Sequence, residues 1–408
     1  MEISVTRCRF LFLSLLSYHS IAAQISPGEQ ATNIQVSNIV FPSKDDVRDA
    51  IRLAAGYLER SCGPDGRFAY RIDNTSGRDV GGYNVIRHAG AIYALAMLNR
   101  LQPSSRGLAA TLRAAAFLRR TYVGVGVHPD ELAVWSEPLS EREHSRYPVA
   151  ELGATGLGLV ALAAVDESAP ESVPIGQLQA LGRFILFLQR GNGSFVSKFV
   201  ANKGEVPNWQ SLYYPGEAAL GLLSLYEADH NRRWLMAAAA ALAHLAESRA
   251  GMNNVPADHW ALIATAQFFR LGGRPDAAVS REQLIHHAVQ ICSSILREQI
   301  TSPPTSNLDG AFDWPGRTTP AATRLEGLMA ALEFLPKGDL TIQIEAAVRR
   351  GIAFLLRAQI VTGPYAGGVP ETIFLDPGHT SVIRIDYVQH AVCAWLRYLE
   401  LLGGRDLN

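Results

Sequence analysis

Residues 213–222 read YYPGEAALGL: two tyrosines, a proline and a glutamate set directly ahead of an apolar helical run. Proline is tolerated in a first helical turn, and an acid there is favoured by the helix macrodipole. Taken alone, Glu217 is a helix-start residue. The rest of the chain makes it one of six.

Runs of similar composition recur with one polar residue in the same register: His88-Ala89-Gly90-Ala91, Glu151-Leu152-Gly153-Ala154, Glu217-Ala218-Ala219-Leu220, His259-Trp260-Ala261-Leu262, Glu326-Gly327-Leu328-Met329 and His390-Ala391-Val392-Cys393. Each continues apolar on every side, which marks a helix buried all round. Between them lie amphipathic helices ending in a related tetrad, as in Tyr57-Leu58-Glu59-Arg60, Phe117-Leu118-Arg119-Arg120, Phe187-Leu188-Gln189-Arg190 and Leu355-Leu356-Arg357-Ala358. Three tetrads are followed by a turn and an aromatic: Asp65-Gly66-Arg67-Phe68, Asn192-Gly193-Ser194-Phe195 and Asp309-Gly310-Ala311-Phe312. Asp-Gly and Asn-Gly favour left-handed turns and end a helix cleanly.

Six apolar helices alternating with six amphipathic ones predict an all-α (α/α)6 toroid over residues 44–402, with the Ala/Gly-rich helices inside. An open solenoid is the competing architecture. It is disfavoured because all six inner runs look equally buried and none is a polar capping repeat.

The register-matched residues His88, Glu151, Glu217, His259, Glu326 and His390 then form a polar ring at one mouth. Asn84, Tyr147, Tyr213 and Asp386 come about one turn earlier, on the same face, and Arg87, Asp258, Arg324 and Arg384 are near neighbours. Six polar residues in apolar helices are costly to keep for stability alone, and a polar mouth in an apolar barrel is the default ligand site. Tyr83, Trp209, Tyr213, Tyr214, Trp260 and Tyr387 lie before the inner helices or in their first turns, where aromatic faces stack on sugar rings.

At this point the chain resembles the six-hairpin α/α-toroid carbohydrate-active enzymes: glycosidases, polysaccharide lyases and sugar epimerases. The resemblance is one of architecture and has no single diagnostic motif. The Asp-Gly-x-Phe turns also resemble repeats of terpene cyclases and prenyltransferase β-subunits, but no Asp-rich diphosphate-binding run is present. Lanthionine-cyclase-like toroids bind zinc through cysteines that this chain lacks, and ring residues on opposite sides of a toroid are too far apart to share a metal, so no cofactor is expected.

The resemblance implies a poly- or oligosaccharide substrate. For a glycosidase, two carboxyl groups must flank the scissile bond. Glu217, beside two tyrosines, is the expected general acid, and Asp258 the expected base, with Glu151 close by. A lyase or epimerase would instead use His88, His259, His390, Tyr213 or Tyr387 as base, with Arg87, Arg324 or Arg384 neutralising a carboxylate. A non-catalytic glycan- or peptide-binding toroid is the third reading. Hydrolysis is the expectation carried forward.

The bulk numbers agree with an enzyme domain. The chain has 408 residues, 48% hydrophobic, with 37 Lys+Arg against 38 Asp+Glu. No basic run marks a nucleic-acid partner, and no segment is long and apolar enough to span a membrane. Arg7 and Arg9 precede the apolar run 10–16, and Ser20-Ile21-Ala22-Ala23 offers a cleavage site, so residues 1–23 read as a signal peptide directing export to the periplasm or medium. Residues 24–43 read as an N-terminal extension and 403–408 as a tail. Cys8 would leave with the signal, and Cys62, Cys292 and Cys393 allow at most one internal disulfide.

Overall fold

The computed structural model describes residues 42–137, 145–273, 280–302, 306–373 and 381–403. The expected signal peptide, nearly all of the extension and most of the tail lie outside the described residues. Twelve α-helices are present among the described residues. Six are amphipathic: α1 (Lys44–Ser61), α3 (Ser105–Thr121), α5 (Ile175–Leu188), α7 (Arg232–Arg249), α9 (Arg281–Glu298) and α11 (Asp339–Ala358). The alternating six are α2 (Val85–Leu101), α4 (Leu152–Ser168), α6 (Tyr214–Asp229), α8 (His259–Arg270), α10 (Thr318–Leu332) and α12 (Ile385–Gly403).

The even-numbered helices pack each on the next, and α12 returns to pack on α2, so the inner ring closes. The odd-numbered helices lie outside it. The fold is the expected (α/α)6 toroid. The burial follows the residue pattern. Helix α1 buries Val47, Ala50, Ile51, Ala54 and Leu58, a single stripe at spacings of three and four. In α4 every residue from Leu152 to Leu162 is buried.

Glycine sets how closely the inner helices approach. A Cβ on Gly156 of α4 would lie 2.8 Å from the backbone nitrogen of Ala218 in α6. One on Gly221 would lie 2.7 Å from the Gly156 carbonyl oxygen, and one on Gly216 would lie 2.8 Å from the backbone nitrogen of Ala261 in α8. Backbone therefore packs on backbone around the axis.

The outer layer is joined by a repeated clasp that explains the tetrads and their turns. The residue ending α5, α9 and α11 is a glutamine whose side-chain amide donates to a carbonyl of the next outer helix around the ring. Gln189 reaches Ala237 (2.8 Å), Gln299 reaches Ala347 (2.9 Å) and Gln359 reaches Ala50 (2.9 Å). Cys62 ends α1 and holds the equivalent place, its thiol 3.5 Å from the Ala110 carbonyl. Three residues further along each receiving helix, a carbonyl supports the turn glycine: Arg113 under Gly66, Ala240 under Gly193, Arg350 under Gly310 and Leu53 under Gly367. A side chain at any of these glycines would overlap that carbonyl, and all four have left-handed φ, from +83° at Gly193 to +93° at Gly367. Seven residues beyond, Arg120, Arg357 and Arg60 donate to the carbonyls of Asp65, Asp309 and Ala366, each the residue before the turn glycine. The Gln359–Ala50 clasp joins α11 to α1 and closes the outer layer.

Short strands, which the helical repeat did not announce, lead into the inner helices. Strands β2 (Val123–Val125), β3 (Leu132–Ser136), β4 (Val149–Glu151), β5 (Lys198–Val200) and β6 (Gly204–Glu205) form one antiparallel sheet in that order. Strand β1 (Arg71–Asp73) pairs with β7 (Val382–Arg384), Arg71 opposite Arg384. Strands β4 and β7 run directly into α4 and α12, so both sheets border the N-terminal mouth of the inner ring. Cys62, Cys292 and Cys393 are buried free thiols. No described helix is long and apolar enough to cross a membrane.

The clasp can be tested with two glycines of like φ. Gly363 (φ +80°) has open space where a Cβ would go, whereas Gly367 (φ +93°) rests on Leu53. Gly363→Ala should cost only the left-handed strain of about 1–2 kcal/mol. Gly367→Ala should cost about 1–3 kcal/mol more, read as a lower urea midpoint at unchanged m-value.

Candidate functional site

All six inner helices begin on the same side, so their first turns share one mouth. Four of them bring the central cluster together. His259 opens α8, Tyr213 precedes α6, and Glu326 and His390 lie on the adjacent helices α10 and α12. The His259 and His390 rings are 5.7 Å apart between centroids, nearly perpendicular. Tyr213 packs edge-on against His259 at 5.4 Å, and Trp260 lies 4.8 Å from His259 and 6.3 Å from His390.

The two histidines are held differently. His390 Nδ1 is 2.7 Å from Glu326 Oε1, a carboxylate only 1% exposed. His259 is 3% exposed, and neither of its ring nitrogens has a hydrogen-bond partner among the described residues. Burial drives its pKa well below the ordinary histidine value, with the charges of His390, Arg324 and Arg397 adding to the effect. It is a neutral imidazole with two unused nitrogens. Burial likewise raises the Tyr213 hydroxyl, against the pull of Arg324, so Tyr213 stays a donor. Arg324 itself donates to Glu298 at 2.6 Å.

His259 is oriented through its backbone. A Cβ on Gly327 of α10 would come within 3.0 Å of its Cα, so that glycine lets the helix approach. Asp258 is the N-cap of α8 and accepts from the Ala261 amide at 3.1 Å. Its other oxygen accepts from Arg249 of α7 at 2.8 Å, and Arg249 also donates to His287 of α9 at 3.3 Å. All three are buried.

Asp258, the expected base, thus has both oxygens engaged, one by the outer layer, and it caps the helix that bears His259. His88 is likewise engaged. It is fully buried, with Nδ1 on the Tyr83 hydroxyl at 2.7 Å and Nε2 on the Ala114 carbonyl at 3.0 Å, and it packs against Phe68 and Phe117. Its partners lie in the outer layer, and Tyr83, also buried, goes with it.

The remaining ring members form two flanking groups. Glu151, at the end of β4, accepts from Tyr214 at 2.6 Å and from Ser136 at 3.1 Å, with Lys198 3.7 Å away. Glu217 lies against Gly153 and Tyr214 so closely that a Cβ on Gly153 would overlap its Oε2. At the α12–α2 closure, Asp386 accepts from Arg384 at 2.6 and 3.0 Å and lies 3.3 Å from Arg87. Burial alone would lower Arg384, but the hydrogen bond and charge of Asp386 raise it. Burial pushes the Tyr387 hydroxyl up to about 12. Of the predicted aromatics, Trp209 and Tyr213 are 39% and 38% exposed and can meet a ligand, whereas Tyr83, Tyr214, Trp260 and Tyr387 are buried. Among the described residues no three His, Cys, Asp or Glu side chains gather as metal ligands.

Several of these partners carried no sequence signal. Arg249 and His287 belong to outer helices and lie far from the repeated register, and Ser136 and Lys198 sit on strands that the helical pattern hides.

No family model matches the chain, and no curated protein matches it by sequence. Solved structures do. A cellobiose 2-epimerase from Bacillus thermoamylovorans B4167 matches with TM-score 0.67 over 88% of this chain and 99% of its own, at 13% identity. A D-mannose isomerase matches with TM-score 0.64 over 89% and 100%, at 10% identity. An α-mannanase from Bacteroides thetaiotaomicron matches with TM-score 0.58 over 88% and 97%, at 12% identity. The chain has the fold of the (α/α)6 toroid sugar enzymes. At these identities the likeness is one of fold, and the toroid's chemistry has to be argued from its own mouth.

Two outcomes follow from these buried groups. Arg249→Met leaves Asp258 buried and uncompensated and should destabilise the toroid by about 3–5 kcal/mol. Adding Asp258→Asn should recover part of that loss, measured as a double-mutant cycle of urea midpoints. Burial also holds His88 at about 4 and His287 at about 3, against about 6.5 unfolded. Because the folded values are depressed, their contribution is present above about pH 6.5 and is lost as pH falls toward those values. Unfolding free energy should drop by up to about 1.4 kcal/mol per pH unit per histidine on acidification from about pH 7 to 5, and His88→Phe should flatten the slope.

Proposed function

We propose that this protein is a sugar epimerase or isomerase that moves a proton on the carbon next to the carbonyl of an open-chain sugar, with His259 and His390 as the acid–base pair. The observation that carries the reading is a buried neutral histidine with two unpartnered nitrogens, 5.7 Å from a second histidine held by a carboxylate.

One histidine takes the proton from carbon. The C–H electron pair becomes the carbon–carbon double bond of an enediolate, and the carbonyl oxygen gains the charge. The other histidine returns a proton, to the opposite face of the same carbon for epimerisation or to the neighbouring carbon for isomerisation, in which case the remaining hydroxyl proton also passes from one oxygen of the enediolate to the other. Positioned acid–base groups of this kind are worth about 10²- to 10⁴-fold. Glu326 fixes the orientation of the His390 ring, much as a buried carboxylate does in a catalytic triad. Tyr213, kept protonated, is placed to donate to the developing oxyanion.

The engagement of both Asp258 oxygens, which leaves Glu217 without its expected base, supports this reading over hydrolysis; the structural neighbours include an epimerase, an isomerase and a mannanase alike. A neutral reducing sugar fits better than a uronate, because Arg324 is paired with Glu298 and both Arg87 and Arg384 lie on Asp386. Glu217 and Trp209 then serve in holding the sugar. With residues 1–23 read as an export signal, the activity is placed outside the cytoplasm.

Turnover of reducing mono- and disaccharides in D₂O tests the reading. Deuterium should enter the carbon next to the carbonyl, at rates cut by about 10² or more in His259→Ala and in His390→Ala. New reducing ends without deuterium incorporation, abolished by Glu217→Gln, would overturn it in favour of a glycosidase.

A further inference from the structure

A large cavity among the described residues lies at the other end of the barrel. It measures about 980 Å³ and is lined by the last turns of all six inner helices. That volume suits a small organic ligand, and nothing in the histidine chemistry uses it. We infer that this C-terminal mouth is a second ligand site, taking a hydroxylated cation of the amino-sugar class.

The cationic requirement comes from charge. Arg100, Arg270 and Arg397 line the cavity against Asp166, Glu167, Glu227, Glu333 and Glu400. Arg100 is taken by Glu167 at 3.2 Å, while Arg270 and Arg397 share Glu333 at 2.9 and 3.4 Å. Among the described residues, Asp166, Glu227 and Glu400 are left outside any ion pair, Asp166 accepting from the Val173 amide at 3.1 Å and Glu227 from the Gln267 side chain at 3.1 Å. The C-terminal ends of six helices point the same way, each carrying about half a negative charge. The field at this mouth therefore selects an ammonium and repels a carboxylate.

The hydroxyl requirement comes from the wall. Arg397 is nine-tenths buried, and its Nε has no hydrogen-bond partner among the described residues, which is a donor waiting for an oxygen acceptor. Ser168, Ser224 and Gln267 add polar groups around it, and Met97, Leu220 and Met329 supply an aliphatic floor for the C–H face of a ring. A simple alkylamine would meet the carboxylates but leave the Arg397 donor unmet. A neutral sugar would meet the donor and ignore the surplus charge.

Three sugars that share one ring separate these requirements. Glucosamine, glucose and glucuronate are titrated by calorimetry into the full chain carrying His259→Ala, so that turnover is removed, and binding at the far mouth is read as the part that a filling substitution there abolishes. Glucosamine should bind at least about tenfold more tightly than the other two, and more weakly at high salt. Glu227→Gln combined with Glu400→Gln, both on exposed side chains, should weaken it by about tenfold at unchanged unfolding midpoint, and Ala163→Phe should fill the site and abolish binding. Equal binding of the three sugars, no binding of glucosamine, or binding indifferent to the rim and filling variants would overturn the inference. None of these results depends on whether the histidine mouth turns over sugar.

Discussion

The structure depends on one recurring contact: the side chain that ends an outer helix donates to a backbone carbonyl of a neighbouring outer helix, and a left-handed glycine rests on a carbonyl one turn further along. A helix surface offers few free hydrogen-bond acceptors, since its carbonyls already accept within the helix. Using their second lone pair costs no intrahelical bond and leaves the receiving helix intact. The contact therefore fixes the spacing and rotation of two helices without demanding particular side chains on the second. The arginine seven residues on reads the turn from the other side. Held this way, the outer layer sets the circumference, and the glycine contacts inside fill the remaining space backbone to backbone.

That rigidity explains how a buried, unpartnered histidine is tolerated. An imidazole without hydrogen bonds inside a protein is destabilising by a few kcal/mol, and a flexible mouth would relax to satisfy it. Here His259 begins a helix whose cap is tied through Arg249 to two outer helices, while Gly327 presses the neighbouring helix against it. The unmet hydrogen bonds are thereby kept for whatever enters the mouth. His88 shows the opposite outcome at the same register. With Tyr83 and the Ala114 carbonyl in reach, both nitrogens are satisfied and the residue is core.

This contrast marks how far the sequence could be read. The toroid was legible because its two signals, all-round apolar helices and recurring Asp-Gly-x-Phe turns, are local and repeat. The register of the polar ring was legible for the same reason, and five of its six members converge on or flank one mouth. What repetition cannot show is which side of the helix a polar side chain leaves from. One position in a helix changes direction by about 100°, so His88 and His259 look alike in a run of alanines yet face opposite layers. Asp258 is ambiguous in sequence for a related reason: an acid before a helix is both a good cap and a plausible catalyst, and its partner Arg249 comes from an outer helix far from the repeated register. The cavity at the far mouth was invisible because it is made of helix ends that each look like ordinary solvated surface.

The Gln359–Ala50 clasp has a further consequence for how the protein is made. It joins residues 309 apart, and the inner ring closes only when the final helix packs on the second. Before α12 arrives the ring is an open arc whose two ends expose the apolar flanks of α2 and α10. Loop closure over that length adds little entropy beyond a shorter loop, so the arc is not unstable because it is long. It is vulnerable because its ends are sticky and identical in kind to each other and to those of a neighbouring chain. The last helix thus acts as a keystone, and the interval before its arrival is when the nascent toroid most needs shielding from other copies of itself.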